Sequence, residues 1–325
     1  MSEVLKESIV NKKLQSDEDK WAKKEISHEQ ARQVVKYLYQ LCAKKNSNGN
    51  ERSQAAILKA WRAYLIVKIL VYAPIRQQEI RKLRLGSTLI ETVNVNGLRR
   101  YAVRIKNHKN FNKTGKSRYY PLPTILTRDL DVWLQLIRPT AIKAASNLET
   151  YLGFFDSYSL EEEQKLIHQL EEAKQGRTSR KVKNLEKYIK SRQIRLKAIQ
   201  ERIKSWDAAR ANAEVCDYVF FVLGSSESQD CFCEPYDKHR YVIIWKMVTE
   251  AVGKATMALF GEARFLNPHG FRHIGSKHLR KIGKTEYKEA FSSLQGHSAK
   301  IDDEYAAQIT NDYDLIEEIV DDWWE

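Results

Sequence analysis

Apolar residues recur three and four positions apart through most of the chain, which predicts a largely helical protein. The first such stretch is ARQVVKYLYQLCAKK, with Val34, Val35, Leu38 and Leu41 at helical spacing. Ser27 precedes it and Gln30 follows three positions on, the pattern of a reciprocal N-terminal cap. NSNGNERS (46–53) is a loop by composition. Residues 55–73 are apolar nearly all round, so they predict a buried central helix, with Trp61 and Tyr64 in the core. Pro74 ends that helix and another begins, with Ile75, Ile80 and Leu83 inward. Between 86 and 122 the pattern changes. Residues 88–95 alternate or are β-branched, Asn96-Gly97 is a hairpin turn signal, and 100–105 return as a second strand. Leu130, Trp133, Leu134 and Ile137 then predict a helix that Pro139 terminates, and 151–155 form an apolar patch with no assigned element.

Residues 158–206 differ in character, being dense in Lys, Arg, Glu and Gln. Two helical pieces flank a QGRTS turn, and Leu185, Ile189, Leu196, Ile199 and Ile203 follow heptad-like spacing. An antiparallel helical hairpin is expected there, either a solvated surface insertion or a contact for DNA or a second protomer. Residues 219–226 read as a short strand and turn. Residues 241–252 read as an amphipathic helix with Val242, Trp245, Val248 and Val252 on one side. Gly253 and Gly261 bracket a further short helix, Asn267-Pro268 starts another at His269, and 286–294 form the next. Leu315, Ile316, Ile319, Val320 and Trp323 make an apolar stripe in an acidic C-terminal segment.

The 325 residues are 42% hydrophobic, enough for a sizeable core. The net charge of +13 favours a polyanionic partner, nucleic acid ahead of a membrane surface. Four cysteines are too few for a disulfide scaffold and lack zinc-ligand spacing, which fits reduced thiols in a cytoplasmic setting. The N-terminus lacks a signal-peptide core, and no run is long and apolar enough to span a bilayer.

Chemistry concentrates near the C-terminus. NPHGFRHIGSKHLRKIG places His269 three residues before Arg272; Gly296-His297 and Tyr305 follow. A guanidinium grips two phosphate oxygens at once, imidazoles move protons near neutral pH, and a tyrosine oxygen is a nucleophile toward phosphorus. Upstream, Arg76 and Glu79 share a helix face, and Lys113-Thr-Gly-Lys116-Ser-Arg118 is a basic loop followed by Pro-Leu-Pro. His269 and His273 stand four apart, but no Glu follows His269, so a zinc-protease site is disfavoured.

In their order and local settings these groups resemble the tyrosine recombinases, the phage-integrase family. The resemblance implies a mainly α domain with a small antiparallel β-sheet (α+β), spanning 27–325 and interrupted by the 158–206 hairpin. Residues 1–26 are then an N-terminal arm and 306–325 a tail helix. It implies six catalytic residues: Arg76, Lys113, His269, Arg272, His297 and Tyr305, with Lys116 the substitute if the hairpin register shifts. Lys109, Lys116 and Arg118 would contact DNA. The partners implied are double-stranded DNA and further copies of the chain in a synaptic dimer or tetramer, with no membrane. Because a phosphotyrosyl link retains the energy of the phosphodiester, no cofactor and no metal are called for. Three departures stand out. Tyr305 follows His297 by one residue fewer than the family spacing, leaving Tyr313 as the fallback nucleophile. Gln295 replaces the usual Leu before Gly-His. Residues 1–26 are too few for the family's separate N-terminal DNA-clamping domain, so the expectation is a catalytic-domain-only recombinase, a fragment or one half of a split system. A telomere resolvase, a type IB-like topoisomerase and a catalytically inactive DNA-binding regulator are the alternative functions.

Overall fold

The structure is a computed structural model and describes residues 24–105, 118–155, 159–176, 185–214, 217–221 and 238–282. It is mainly helical with one three-stranded antiparallel sheet, the α+β class expected. Helix α1 (His28–Gln40) starts with the reciprocal cap: Ser27 Oγ accepts from Gln30 N–H at 3.0 Å and Gln30 Oε1 accepts from Ser27 N–H at 2.9 Å. Its Val34, Val35 and Leu38 are buried, while Leu41 lies past its end and is exposed. Helix α2 (Gln54–Tyr72) is the hub. Leu65, Ile66, Val67, Ile69 and Leu70 are fully buried, as its all-round apolar sequence requires.

Lys68 sits within that apolar run, 8% exposed. Its Nζ lies 2.5 Å from Asp129 Oδ2 and 2.8 Å from the Ile125 carbonyl, and Tyr64 Oη donates to the same Asp129 oxygen at 2.5 Å. Burial, and then the hydrogen bond to Asp129, push the Tyr64 hydroxyl well above its ordinary pKa, so it stays protonated as the donor.

Short helix α3 (Gln77–Arg81) leads into strands β1 (Leu89–Val93), β2 (Arg99–Ile105) and β3 (Arg118–Pro121), in the order β1-β2-β3. Leu89 pairs with Val103, and Ile105 with Arg118. The β1–β2 turn follows from Asn96-Gly97: Gly97 takes φ +74°, and Asn94 Oδ1 accepts from the N–H groups of Asn96 and Leu98.

Pro139 does not end the next helix. Helix α4 (Thr127–Val132) passes into one π-helical stretch (Trp133–Ile137), and α5 (Arg138–Ala144) continues through Pro139. Proline lacks an N–H and its ring crowds the preceding turn; the wider π turn, with Arg138 N–H reaching Trp133 O, accommodates both. The unassigned apolar patch belongs to α6 (Leu148–Phe154), capped by Asn147, with Tyr151, Leu152 and Phe154 buried. The charged segment forms a helical hairpin, α7 (Leu160–Lys174) against α8 (Leu185–Glu214), whose second arm outruns the expected boundary at 206.

Within 219–226, the described part forms no strand; a single bridge joins Tyr218 to Arg84, secured by Trp133 Nε1 on Val219 O and Arg138 Nε on Tyr218 O. Helix α9 (Lys238–Phe260) runs unbroken through Gly253. That glycine answers to packing rather than termination: the Phe265 ring lies where its Cβ would stand, at 2.6 Å. Val248 and Val252 are buried as expected, but Trp245 is exposed. Gly261, at φ +74°, ends the helix. Last comes α10 (Pro268–Ile282), which packs on α1, α2 and α9. Among the described residues no helix is long and apolar enough to cross a membrane.

Candidate active site

Asn267-Pro268 builds the entry to α10 as its sequence suggests. Asn267 Oδ1 accepts from Gly270 N–H at 2.9 Å, and Pro268, which has no N–H to satisfy, takes the first helical position. This sets exposed His269 in the first turn, with Arg272 one turn along the same side. The His269 ring meets the His273 ring edge-on at 4.8 Å. Arg272 is 7% exposed.

On the other side of the site, Arg76 stands at the N-cap of α3 and Glu79 is buried three residues on. Glu79 Oε2 accepts from Arg76 N–H at 2.7 Å, and Oε1 accepts from Arg118 Nη1 at 2.7 Å and Tyr120 Oη at 3.4 Å. The Arg118 guanidinium also lies over the Tyr120 ring, 4.7 Å from its centroid. One carboxylate thus ties α3 to strand β3. Arg118 was expected as a DNA contact; the structure instead buries it as the partner of Glu79. Its position in a basic run suggested an exposed loop, but β-pairing with Ile105 turns it toward α3.

Arg272 comes from a part of the chain remote from both, yet it lies within electrostatic reach of Arg76 and Glu79. Its guanidinium pKa is lowered to about 10, first by burial, then by the Arg76 charge, with Glu79 acting in opposition. Two guanidiniums near each other beside a single carboxylate, already engaged by Arg118, form a local excess of positive charge suited to an anion with several oxygens. His273 is lowered below its ordinary pKa by burial and by Arg272, which favours a neutral imidazole next to His269. Of the predicted set, His269 and Arg272 stand one turn apart on α10, and Arg272 lies within electrostatic reach of Arg76. Lys109, Lys113, Lys116, His297, Tyr305 and Tyr313 lie outside the described residues. Sequence reasoning missed Arg118 and Tyr120 as supports for Glu79; the acidic partner three residues after Arg76 was the available signal.

The far end of α10 is held by an imidazole stack. His278 lies over His28 of α1 with centroids 4.1 Å apart, and Tyr72 meets His28 edge-on. Burial, His278 and Arg32 push the His28 pKa down to about 3 from 6.5. A folded-state value below the unfolded one means the unfolded chain binds the extra proton. His28 thus contributes stability fully above about pH 6.5, and that stability is lost as pH falls toward 3. The expected cost is about 2 kcal/mol by roughly pH 5, and His28→Phe flattens that part of the acid limb in thermal melts across pH.

A groove between α1, α2 and α9 has an apolar floor including Leu38, Ala60 and Met247 and a rim including Lys45, Lys59 and Lys254. None of the predicted site residues lines it. Among the described residues, no group of three or more His, Cys, Asp or Glu side chains converges to hold a metal ion. No family model, curated protein or solved structure matches the chain.

Proposed function

We propose that the protein is a site-specific DNA recombinase of the tyrosine type, which cuts and rejoins strands through a 3′-phosphotyrosyl intermediate. The observation that supports this reading is that the buried Arg272 guanidinium, with His269 one turn away on α10, lies within electrostatic reach of Arg76 and Glu79 from a distant part of the chain. A scissile phosphate calls for such cations, and Lys113, His297 and Tyr305 would supply the remaining chemistry.

In this reading Arg76 and Arg272 hold the non-bridging phosphate oxygens and offset the charge that grows on them in the five-coordinate transition state. Tyr305 attacks phosphorus; a P–O bond to the phenol forms as the P–O5′ bond breaks. The phenolic proton passes toward His269, and Lys113 protonates the departing 5′ oxygen. His297 donates a hydrogen bond to the phosphate. Attack by another strand's 5′-hydroxyl reverses the sequence and releases Tyr305. Double-stranded DNA is the substrate, and copies of the chain assemble on it. The test is covalent: a nicked duplex that loses its 5′-hydroxyl fragment should leave the protein attached to DNA under denaturing conditions.

A further inference from the structure

The charge on the α7–α8 hairpin is segregated. Arm α7 carries five acids and two lysines, whereas α8 carries eight Lys and Arg against four acids. At 3.6 residues per turn, Tyr188, Arg192, Leu196 and Ile199 share one side of α8. That side faces α7: Arg192 Nε donates to Gln169 Oε1 at 3.1 Å, Tyr188 Oη reaches the same oxygen at 3.4 Å, and Arg195 pairs with Glu162. The opposite side presents Lys187, Lys190, Lys197 and Lys204, all exposed, with exposed Ile194 among them. From Lys187 to Lys204 the stripe runs about 25 Å at 1.5 Å per residue, most of one turn of duplex DNA. Glu186 and Glu201 share this side with the lysines, the latter 3.7 Å from Lys204 in an exposed pair that screening weakens, so the face keeps a net positive charge.

The arm is fixed to the body rather than loosely attached. Ile199 and Ala209 are buried, Arg202 lies 3.8 Å from the Phe155 ring centroid, Ser205 Oγ and Tyr151 Oη are 3.0 Å apart, and Trp206 Nε1 donates to Ala145 O. A rigid helix with a one-sided lysine row, backed by an acidic arm, is suited to a phosphate backbone: lysines act as point charges and need no base identity.

We propose that the outward face of α8 is a second DNA-contacting surface, in which Lys187, Lys190, Lys197 and Lys204 hold duplex backbone through sequence-independent phosphate contacts. This rests on the reading of the chain as a DNA enzyme, and extends it to a segment outside the proposed catalytic set. The test measures binding of the full chain to a mixed-sequence duplex a few helical turns long, with salt varied between about 50 and 200 mM. Each lost phosphate contact flattens log Kd against log salt by roughly 0.9. The variant carrying Lys187→Gln, Lys190→Gln, Lys197→Gln and Lys204→Gln should therefore show a slope smaller by about three to four. Glu161→Gln with Glu171→Gln, on the acidic arm, should leave the slope unchanged. Thermal melts check folding, and Lys190→Gln/Lys197→Gln alone should flatten the slope by about two if the fourfold variant is unstable. A slope equal to wild type, or one that moves as much with the acidic-arm variant, overturns the proposal while leaving the enzyme reading intact. Absence of salt-dependent duplex binding by the wild-type chain removes both.

Discussion

Arg272→Met should abolish covalent attachment to DNA while leaving the protein folded. Burial and the charge of Arg76 both work against the Arg272 cation, lowering its pKa to about 10. An anion bound between Arg76 and Arg272 would offset both effects. A methionine of similar length fills the space without charge. Losing one donor that stabilises transition-state charge typically costs 10²- to 10³-fold in rate. Losing a guanidinium fork should cost at least that, and Arg272→Lys should recover only part because a point charge cannot grip two oxygens. Thermal melts and trapping yields, run on the same preparations, check that the variant folds and fails to attach. A large drop in melting temperature for Arg272→Met would mean that the residue is structural.

The second large effect is on folding. Asp129→Ala should destabilise the protein by about 3–5 kcal/mol, because it leaves Lys68 charged and buried within α2 without its carboxylate. Tyr64 loses its acceptor in the same step. Combining Asp129→Leu with Lys68→Met should recover much of that loss, since replacing both partners removes the uncompensated charge. Denaturant unfolding of Asp129→Leu, Lys68→Met and the double variant checks the non-additivity; a double-variant loss equal to the sum of the two single losses would show that the pair contributes nothing jointly.

These two sites mark where sequence reasoning stopped. Features set by neighbours three or four residues apart were legible: the Ser27–Gln30 cap, the buried stripe of α2, the turn at Gly97 and the start of α10 at Pro268. Lys68 and Asp129 were not, because each belongs to a different helix and only packing reveals their pairing. Arg118 looked like an exposed loop cation until β3 turned it onto Glu79. Pro139 and Gly253 misled in a related way. Each is a helix breaker by local preference, but a π turn relieves the proline and an aromatic ring occupies the space beside the glycine. At the candidate site, the order of residue types in the sequence suggested that Arg76 and Arg272 belong together; the Arg76 charge is the second cause of the lowered Arg272 pKa, after burial.

The most direct test of the enzyme reading is trapping on duplexes nicked next to candidate scissile phosphates, drawn from the flanks of the gene's own element. Wild type, Tyr305→Phe and Tyr313→Phe are run side by side on a denaturing gel. The account predicts a protein–DNA adduct for wild type and Tyr313→Phe that disappears with Tyr305→Phe. An adduct that survives Tyr305→Phe, or DNA binding with no adduct from any of the three, would contradict it.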